Sequence, residues 1–467
     1  MNITFCGAAG TVTGSCHLIT LDDGRKVLFD CGLYQGYDLD LENFNETWKF
    51  DPKDIDFLIL SHAHIDHTGR IPKLVKDGFK GPIICTYATR DLCTIMLLDS
   101  AYIQEKDAEY KNKREARKKS KKRHKPLYTV KDAERCMNQY VSIGYGDWYE
   151  VGPGIKILFR DSGHILGSAS ITMKIDTVDG VKTIGFTGDI GRPERPILRD
   201  PEPMPHVEYL ICESTYGGKE HPAPPQERQG LLDIVHQTCV ENKGRLIIPA
   251  FSVGRTQELV YMMDQLVNEG KLPDIPVYVD SPLAVNATDI FKTHPECYDH
   301  QILEYLLTDP DPFGWSKLRY VKKVEDSKKI NEHKGPCIII SASGMITAGR
   351  ILHHVRNNIE DPRNCVLIVG YCAEGSIGAQ LAKGADKIRI FGEELKVKAQ
   401  IKRMHSFSAH GDQPEMLDYL DNQSREKLKK IFLVHGVEER QKIFSDELIS
   451  AGFKEVVIPK LGESHTV

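Results

Sequence analysis

Ser61-His62-Ala63-His64-Ile65-Asp66-His67 follows directly on the apolar run Phe57-Leu58-Ile59-Leu60. A short apolar run closed by polar residues reads as a buried strand. The strand therefore delivers four side chains with metal-binding atoms at one of its ends. Imidazoles and a carboxylate crowded at a tip carry polar atoms that all need partners. They converge only if the loop curls around positive charge. Imidazole suits Zn²⁺, Mn²⁺ or iron and carboxylate suits harder ions, so the mixed set favours a borderline metal. The fold must hold this loop at the edge of a rigid sheet.

The first two hundred residues repeat the arrangement. Segments 3–6, 26–30, 57–61, 81–86, 155–161, 170–175 and 183–187 have the β-rich composition of short strands that run into turns. His164 (in Ser162-Gly163-His164), Asp189 (in Thr187-Gly188-Asp189) and His435 (in Leu433-Val434-His435) each follow such a strand. With the 61–67 loop they supply ligands for two metals, about four each if one carboxylate bridges.

From Arg90 to about Gln139 the pattern turns helical and reads as a protruding helical pair. It contains a basic run, residues 111–125, in which ten Lys or Arg face one acid, Glu115. The run stands out because the whole chain carries a net charge of −5. That balance excludes a generic nucleic-acid coat protein but leaves room for a nuclease with one basic surface. Prolines crowd between 201 and 225 and mark a domain crossing. Beyond it, strands at 245–249, 277–279, 337–341 and 366–369 alternate with helices at 255–268, 284–292, 348–357 and 376–382. Continuous apolar strands alternating with helices describe a parallel sheet covered on both faces. A β-rich, His-bearing segment is expected from about Lys387 onward.

The twelve cysteines sit singly in apolar strings, with no C-x-x-C pair. In a cytosolic chain that pattern describes buried thiols and no disulfide framework. No apolar run approaches the ~18 residues of a membrane span. Met1 to Gly7 lacks the basic and apolar regions of a signal peptide. A cytoplasmic location is expected.

These motifs resemble the metallo-β-lactamase superfamily, whose H-x-H-x-D-H hallmark stands here as His62 to His67. Asp30 (in Phe29-Asp30-Cys31-Gly32), His164 and Asp189 match its remaining signature positions. Within it the chain is similar to the β-CASP branch, which includes bacterial and archaeal ribonucleases and the pre-mRNA 3′-end-cleaving nuclease. The branch's additional motifs match Glu213 (in Glu213-Ser214-Thr215), His410 (in Ser408-Ala409-His410-Gly411-Asp412) and His435. The resemblance implies an α/β fold: an αββα sandwich, residues 1–208 and 395–467, with an inserted β-CASP parallel-sheet domain, residues 209–394. It also implies a site. His62, His64 and His164 would hold one Zn²⁺ and Asp66, His67 and His435 the other, with Asp189 bridging. Manganese or iron would suit the same donors. Asp30 would orient ligands from behind. Branch members that act on RNA carry His at the last motif, so His435 points to RNA.

The chemistry expected is hydrolysis of RNA phosphodiesters, endonucleolytic, on single strands, by a chain that a homodimer would also accommodate. Asp66 can accept a proton as well as bind metal, and His410 is the candidate general acid. Glu213 would orient either His410 or His435. Ser252 and Arg255, with Ser341, Ser343 and Gly344, lie between a strand and a helix, where exposed N–H groups favour phosphate and where ordinary helix capping is the plainer alternative. His17, His405, His353 and His354 match no motif and are taken as structural or surface residues. Two other readings are a small-molecule (thio)ester hydrolase of the superfamily, which would need neither Glu213, His410 nor the cassette, and a non-catalytic RNA-binding homologue, which would not need every ligand position filled.

Overall fold

The computed structural model describes every residue except 37–42, 222–226, 371, 374 and 405–407; His405 thus lies outside the described residues. The chain divides into two compact units, Met1–Glu220 with His410–Val467, and His221–Ala409. The junctions expected at 208/209 and 394/395 fall inside these units instead. Strand Tyr209–Glu213 pairs in parallel with Gly180–Phe186 and with Lys430–Val434, which ties it to the first unit. Gln400–Arg403 pairs with Cys365–Ile368 and so belongs to the second.

Two seven-stranded sheets build the first unit. One runs from edge to edge through Ser464–Thr466, Asn2–Gly7, Cys16–Thr20, Lys26–Phe29, Phe57–Ile59, Ile83–Thr86 and Tyr140–Ile143. The other runs through Val456–Val457, Lys430–Val434, Tyr209–Glu213, Gly180–Phe186, Ala169–Thr177, Ile155–Asp161 and Tyr149–Gly152. Side chains two apart on a strand share a face. Ile3 and Phe5, Val27 and Phe29, Ile155, Ile157 and Phe159, and Ile171, Met173 and Ile175 therefore meet in one core between the sheets. Each such side chain contributes about 1.5–3 kcal/mol by burial.

On Tyr209–Glu213 and Lys430–Val434 both faces are apolar. Ile211, Phe432 and Val434 enter the core between the sheets. Leu210, Cys212, Ile431 and Leu433 pack on the other side, with Met416, Leu420, Phe444 and Leu448. Those four come from helices Gln413–Asp421 and Glu438–Ser450, which the expectation of a β-rich end overlooked. The helix Tyr87–Arg117 packs over Ile83–Thr86 and Tyr140–Ile143 of the first sheet. The sheets thus lie face to face with helices outside them, an αββα sandwich.

The second unit is a six-stranded parallel sheet in the order Leu318–Tyr320, Val277–Val279, Cys337–Ser341, Arg245–Pro249, Cys365–Ile368 and Gln400–Arg403. Its central strand Cys337–Ser341 is buried at every position, as a strand covered on both faces must be. Helices Arg255–Asn268, Pro282–Phe291, Ile351–Asn358 and Ile377–Ala382 follow its strands close to where the sequence put them. All cysteines are free thiols, and only Cys372 is more than slightly exposed. No helix among the described residues is long and apolar enough to cross a membrane.

Candidate metal centre

Every candidate ligand lies in the first unit, on loops at the strand ends. The 61–67 loop leaves Phe57–Ile59 and forms one short turn of helix, Ile65–Thr68. Backbone bonds tie it to its neighbours: Cys31 N–H donates to the His67 carbonyl, Leu33 N–H to Ile65 and Ser15 N–H to Asp66, at 2.8–2.9 Å. A Cβ on Gly32 would stand 1.6 Å from the Asp66 carbonyl oxygen, so only glycine lets the two loops close to this distance. The His164 and Asp189 loops meet in the same way. Gly191 N–H donates to the Ser162 carbonyl at 2.7 Å, and a Cβ there would lie 2.0 Å from the Gly163 oxygen.

Among the described residues, three groups have donor atoms that lie within 4.8 Å of one another inside each group: His62, His64, His164 and Asp189; Asp66, His67 and His435; and Asp189, Glu213 and His410. The Asp189 carboxylate is nearly fully buried, and its Oδ1 accepts no hydrogen bond from any described residue. Its neighbours are imidazoles. His62 Nε2 and His164 Nε2 lie 3.5 and 3.4 Å from Oδ2, and His67 Nε2 and His435 Nδ1 lie 3.4 and 3.7 Å from Oδ1. An orphaned carboxylate oxygen among nitrogen donors is matched by a divalent cation, so the donor set fits metal.

Asp30 supports the loop from behind. Its Oδ2 is 2.7 Å from His67 Nδ1 and accepts from the Ser61 hydroxyl at 2.9 Å, while its Oδ1 accepts the Ser61 N–H at 2.9 Å. Ser15 donates a further bond at 3.1 Å. The Ser61 hydroxyl also stands 3.0 Å from His62 Nδ1. His435 is fixed by Thr215, whose hydroxyl is 3.0 Å from His435 Nδ1, and by its own N–H donating to Ala8 at 2.8 Å. Sequence reasoning missed Ser15, Ser61 and Thr215. The last two adjoin motif residues, which was the available signal.

Glu213 faces His410 and not His435, with His410 Nδ1 3.2–3.3 Å from its two oxygens. Glu213 is buried and also accepts the Ile190 N–H at 2.5 Å. His410 bridges in antiparallel fashion to Gly191, and Gly411 N–H donates to Ile190 at 2.8 Å. The Asp189 loop thus seats both residues.

Burial holds the His62 imidazole well below the usual range and His64 at about 4, which keeps both neutral and able to ligate. Burial works against protonation of His67 too, but Asp189 and Asp30 outweigh it and hold that imidazole well above the usual range. Asp66 and Asp189 are held below the usual carboxylate range because neighbouring histidines overcome the cost of burial. For His410, burial again opposes the charge, and Glu213 with Asp189 raises it to about 9.

The phosphate candidates gather in the second unit at the ends of adjacent strands, where Pro249 and Ser341 are paired in register. Several are already engaged. Ser341 is buried and its hydroxyl donates to the Asp280 carbonyl at 2.7 Å. Arg255 pairs with Glu258 on its own helix. Ser252 meets the Ser281 hydroxyl at 3.2 Å, Ser343 accepts the Thr347 N–H at 3.0 Å, and Gly344 packs on Phe251. His354 is structural, bonded at 2.6 Å to the buried Asp280.

An αββα sandwich with histidines and carboxylates gathered on the loops at its strand ends defines a metallo-hydrolase of the lactamase type. Family models agree: the metallo-beta-lactamase superfamily matches residues 9–233, the Beta-Casp domain 256–381, and a Zn-dependent metallo-hydrolase RNA specificity domain 394–459. The chain is 33% identical to Ribonuclease TTHA0252 of Thermus thermophilus over 99% of both proteins. It is 32% identical to an RNase J-like protein of Methanocaldococcus jannaschii over 93% of this chain and 92% of that one. It is also 31% identical to the transcription termination factor FttA of Methanosarcina mazei, over 94% of this chain and 67% of that one. The chain belongs to the β-CASP family of the metallo-β-lactamase superfamily.

Proposed function

We propose that the protein is a ribonuclease that hydrolyses phosphodiester bonds within single-stranded RNA with the help of two divalent ions, zinc by the balance of its donors. The Asp189 carboxylate carries the reading, because Oδ2 faces His62 and His164 while Oδ1 faces His67 and His435. One carboxylate turned to two sets of imidazoles is what a bridging ligand requires. On this reading His62, His64 and His164 would hold one ion and Asp66, His67 and His435 the other. Asp30 fixes His67 through Nδ1 and so aims its other nitrogen. The names of the relatives and the matched RNA specificity domain support RNA as the substrate.

When bound, the ions would supply acidification of water and positive charge at the scissile phosphate. Asp66 would accept the proton that the attacking water gives up. His410 donates a proton to the departing sugar oxygen, and Glu213 keeps that imidazole charged and in place. The test is cleavage of an end-labelled single-stranded RNA by the zinc-loaded protein, beside the same sequence as DNA and a thioester. Internal RNA fragments that vanish with chelator are expected. Turnover of the thioester alone would overturn the reading in favour of a small-molecule hydrolase, and binding of RNA without cleavage would make the chain a non-catalytic homologue.

A further inference from the structure

We propose that the exposed face of helix Tyr87–Arg117, with the basic segment that follows it, is a docking surface for single-stranded RNA separate from the metal centre; the proposal rests on the ribonuclease reading. All ten Lys and Arg of residues 111–125 are exposed or half-buried, and none is ion-paired among the described residues. Without these fifteen residues the chain holds 51 basic against 65 acidic side chains. The cations are therefore concentrated in one place on an acidic protein.

The helix carries them outward. At its start Thr86 and Thr89 donate hydroxyl bonds to the Gly167 carbonyl at 2.6 and 2.8 Å, beside the loop that bears His164. Its 31 residues then span about 45 Å at ~1.5 Å each. Leu97, Ala101 and Ala108 face the body, and no residue of the helix beyond Ala108 is buried. On the opposite face Tyr102, Lys106, Tyr110, Lys113 and Arg117 recur at steps of three and four and are all exposed. Tyr110 is 69% exposed at the root of the basic segment.

This segment is held to the helix. Asn112 donates to the His124 carbonyl at 2.9 Å and accepts its N–H at 2.8 Å, and Gln104 accepts the Leu127 N–H at 3.1 Å. The fold thus uses several bonds to keep mutually repelling charges together. A merely solvated face would intersperse both signs. A ridge of ten cations with one acid, Glu115, draws a polyanion, and exposed tyrosines in line with it offer stacking to bases, which an acidic protein would not use.

The full chain is tested by fluorescence anisotropy with labelled oligouridylates of about 40 and about 6 nucleotides, the shorter matching one small stacking site. Replacing Lys118, Lys119, Lys121 and Lys122 together by Gln should weaken binding of the long strand at least about tenfold in moderate salt and flatten its salt dependence by roughly 0.7 in slope for each phosphate no longer neutralised. Tyr110→Ala should weaken it about five- to a hundredfold with the slope unchanged, as expected when one stacked base is set free. Metal-dependent cleavage of the short strand should be unaffected in both variants. Equal affinities and slopes for parent and variants would overturn the proposal, as would poly-L-glutamate binding as tightly as the long RNA and weakening equally in the variants. If the parent cleaves neither RNA, the ribonuclease reading fails, while the anisotropy still decides whether the ridge binds RNA.

Discussion

His410 and His17 show how one residue type is put to opposite uses. His410 is flanked by Glu213 and Asp189, which hold its proton in place. His410→Ala should keep both metals and RNA binding yet lose ~10²–10⁴ in turnover, as expected when a general acid is removed. Loss of metal on that substitution would make His410 a ligand instead, as its grouping with Asp189 and Glu213 also allows. Glu213→Gln removes a negative neighbour, so the basic limb of the pH–rate profile should move to lower pH; an unmoved limb would show that Glu213 acts only as scaffold. His17 is wholly buried between the rings of Phe5 and Phe186, and neither ring nitrogen has a partner among the described residues. Burial lowers it to about 3. The unfolded chain takes up this proton below about 6.5, whereas the folded chain does so only near 3. Stability is therefore lost as pH falls between those values, by up to ~1.4 kcal/mol per unit. His17→Phe should flatten that slope in urea melts at pH 6 and below. The convergence of His62, His64, Asp66 and His67 was legible in sequence because the four stand within six residues. The partner of Glu213 was not, since His410 reaches it from 197 residues away.

At the scale of elements, the strand-to-helix alternation of the second unit was readable because each strand is a continuous apolar run. The helices near the C-terminus were not, because the apolar strand Lys430–Val434 between them dominated the pattern. Yet Asp412 and Glu415 form a reciprocal capping box at the start of Gln413–Asp421, with Met416, Tyr419 and Leu420 at helical spacing. That box begins two residues after His410. Asp412→Ala should cost about 1 kcal/mol in urea unfolding, and Asp412→Asn should restore most of it. Turnover should drop in the Ala variant more than KM rises, because the cap anchors the segment that carries His410. If stability falls while turnover is unchanged, the cap serves folding only.

Among the described residues the first unit gathers six imidazoles and three carboxylates in three groups, two of which share Asp189, a charge arrangement that cations complete. Elemental analysis should give close to two zinc ions per chain, and His435→Ala should lose mainly one of them. Chelation should lower Tm, since ions that bind only the folded state stabilise it by mass action. A single ion in the parent, unaffected by His435→Ala, would remove the two-ion assignment. The gathered side chains are also divided in chain order. A chain that has emerged from the ribosome as far as Ala409 owns His62, His64, Asp66, His67, His164 and Asp189 but neither His410 nor His435. It lacks as well the strand Lys430–Val434, against which Tyr209–Glu213 pairs in the finished sheet. Until residue 435 has emerged, the gathered side chains cannot all be present.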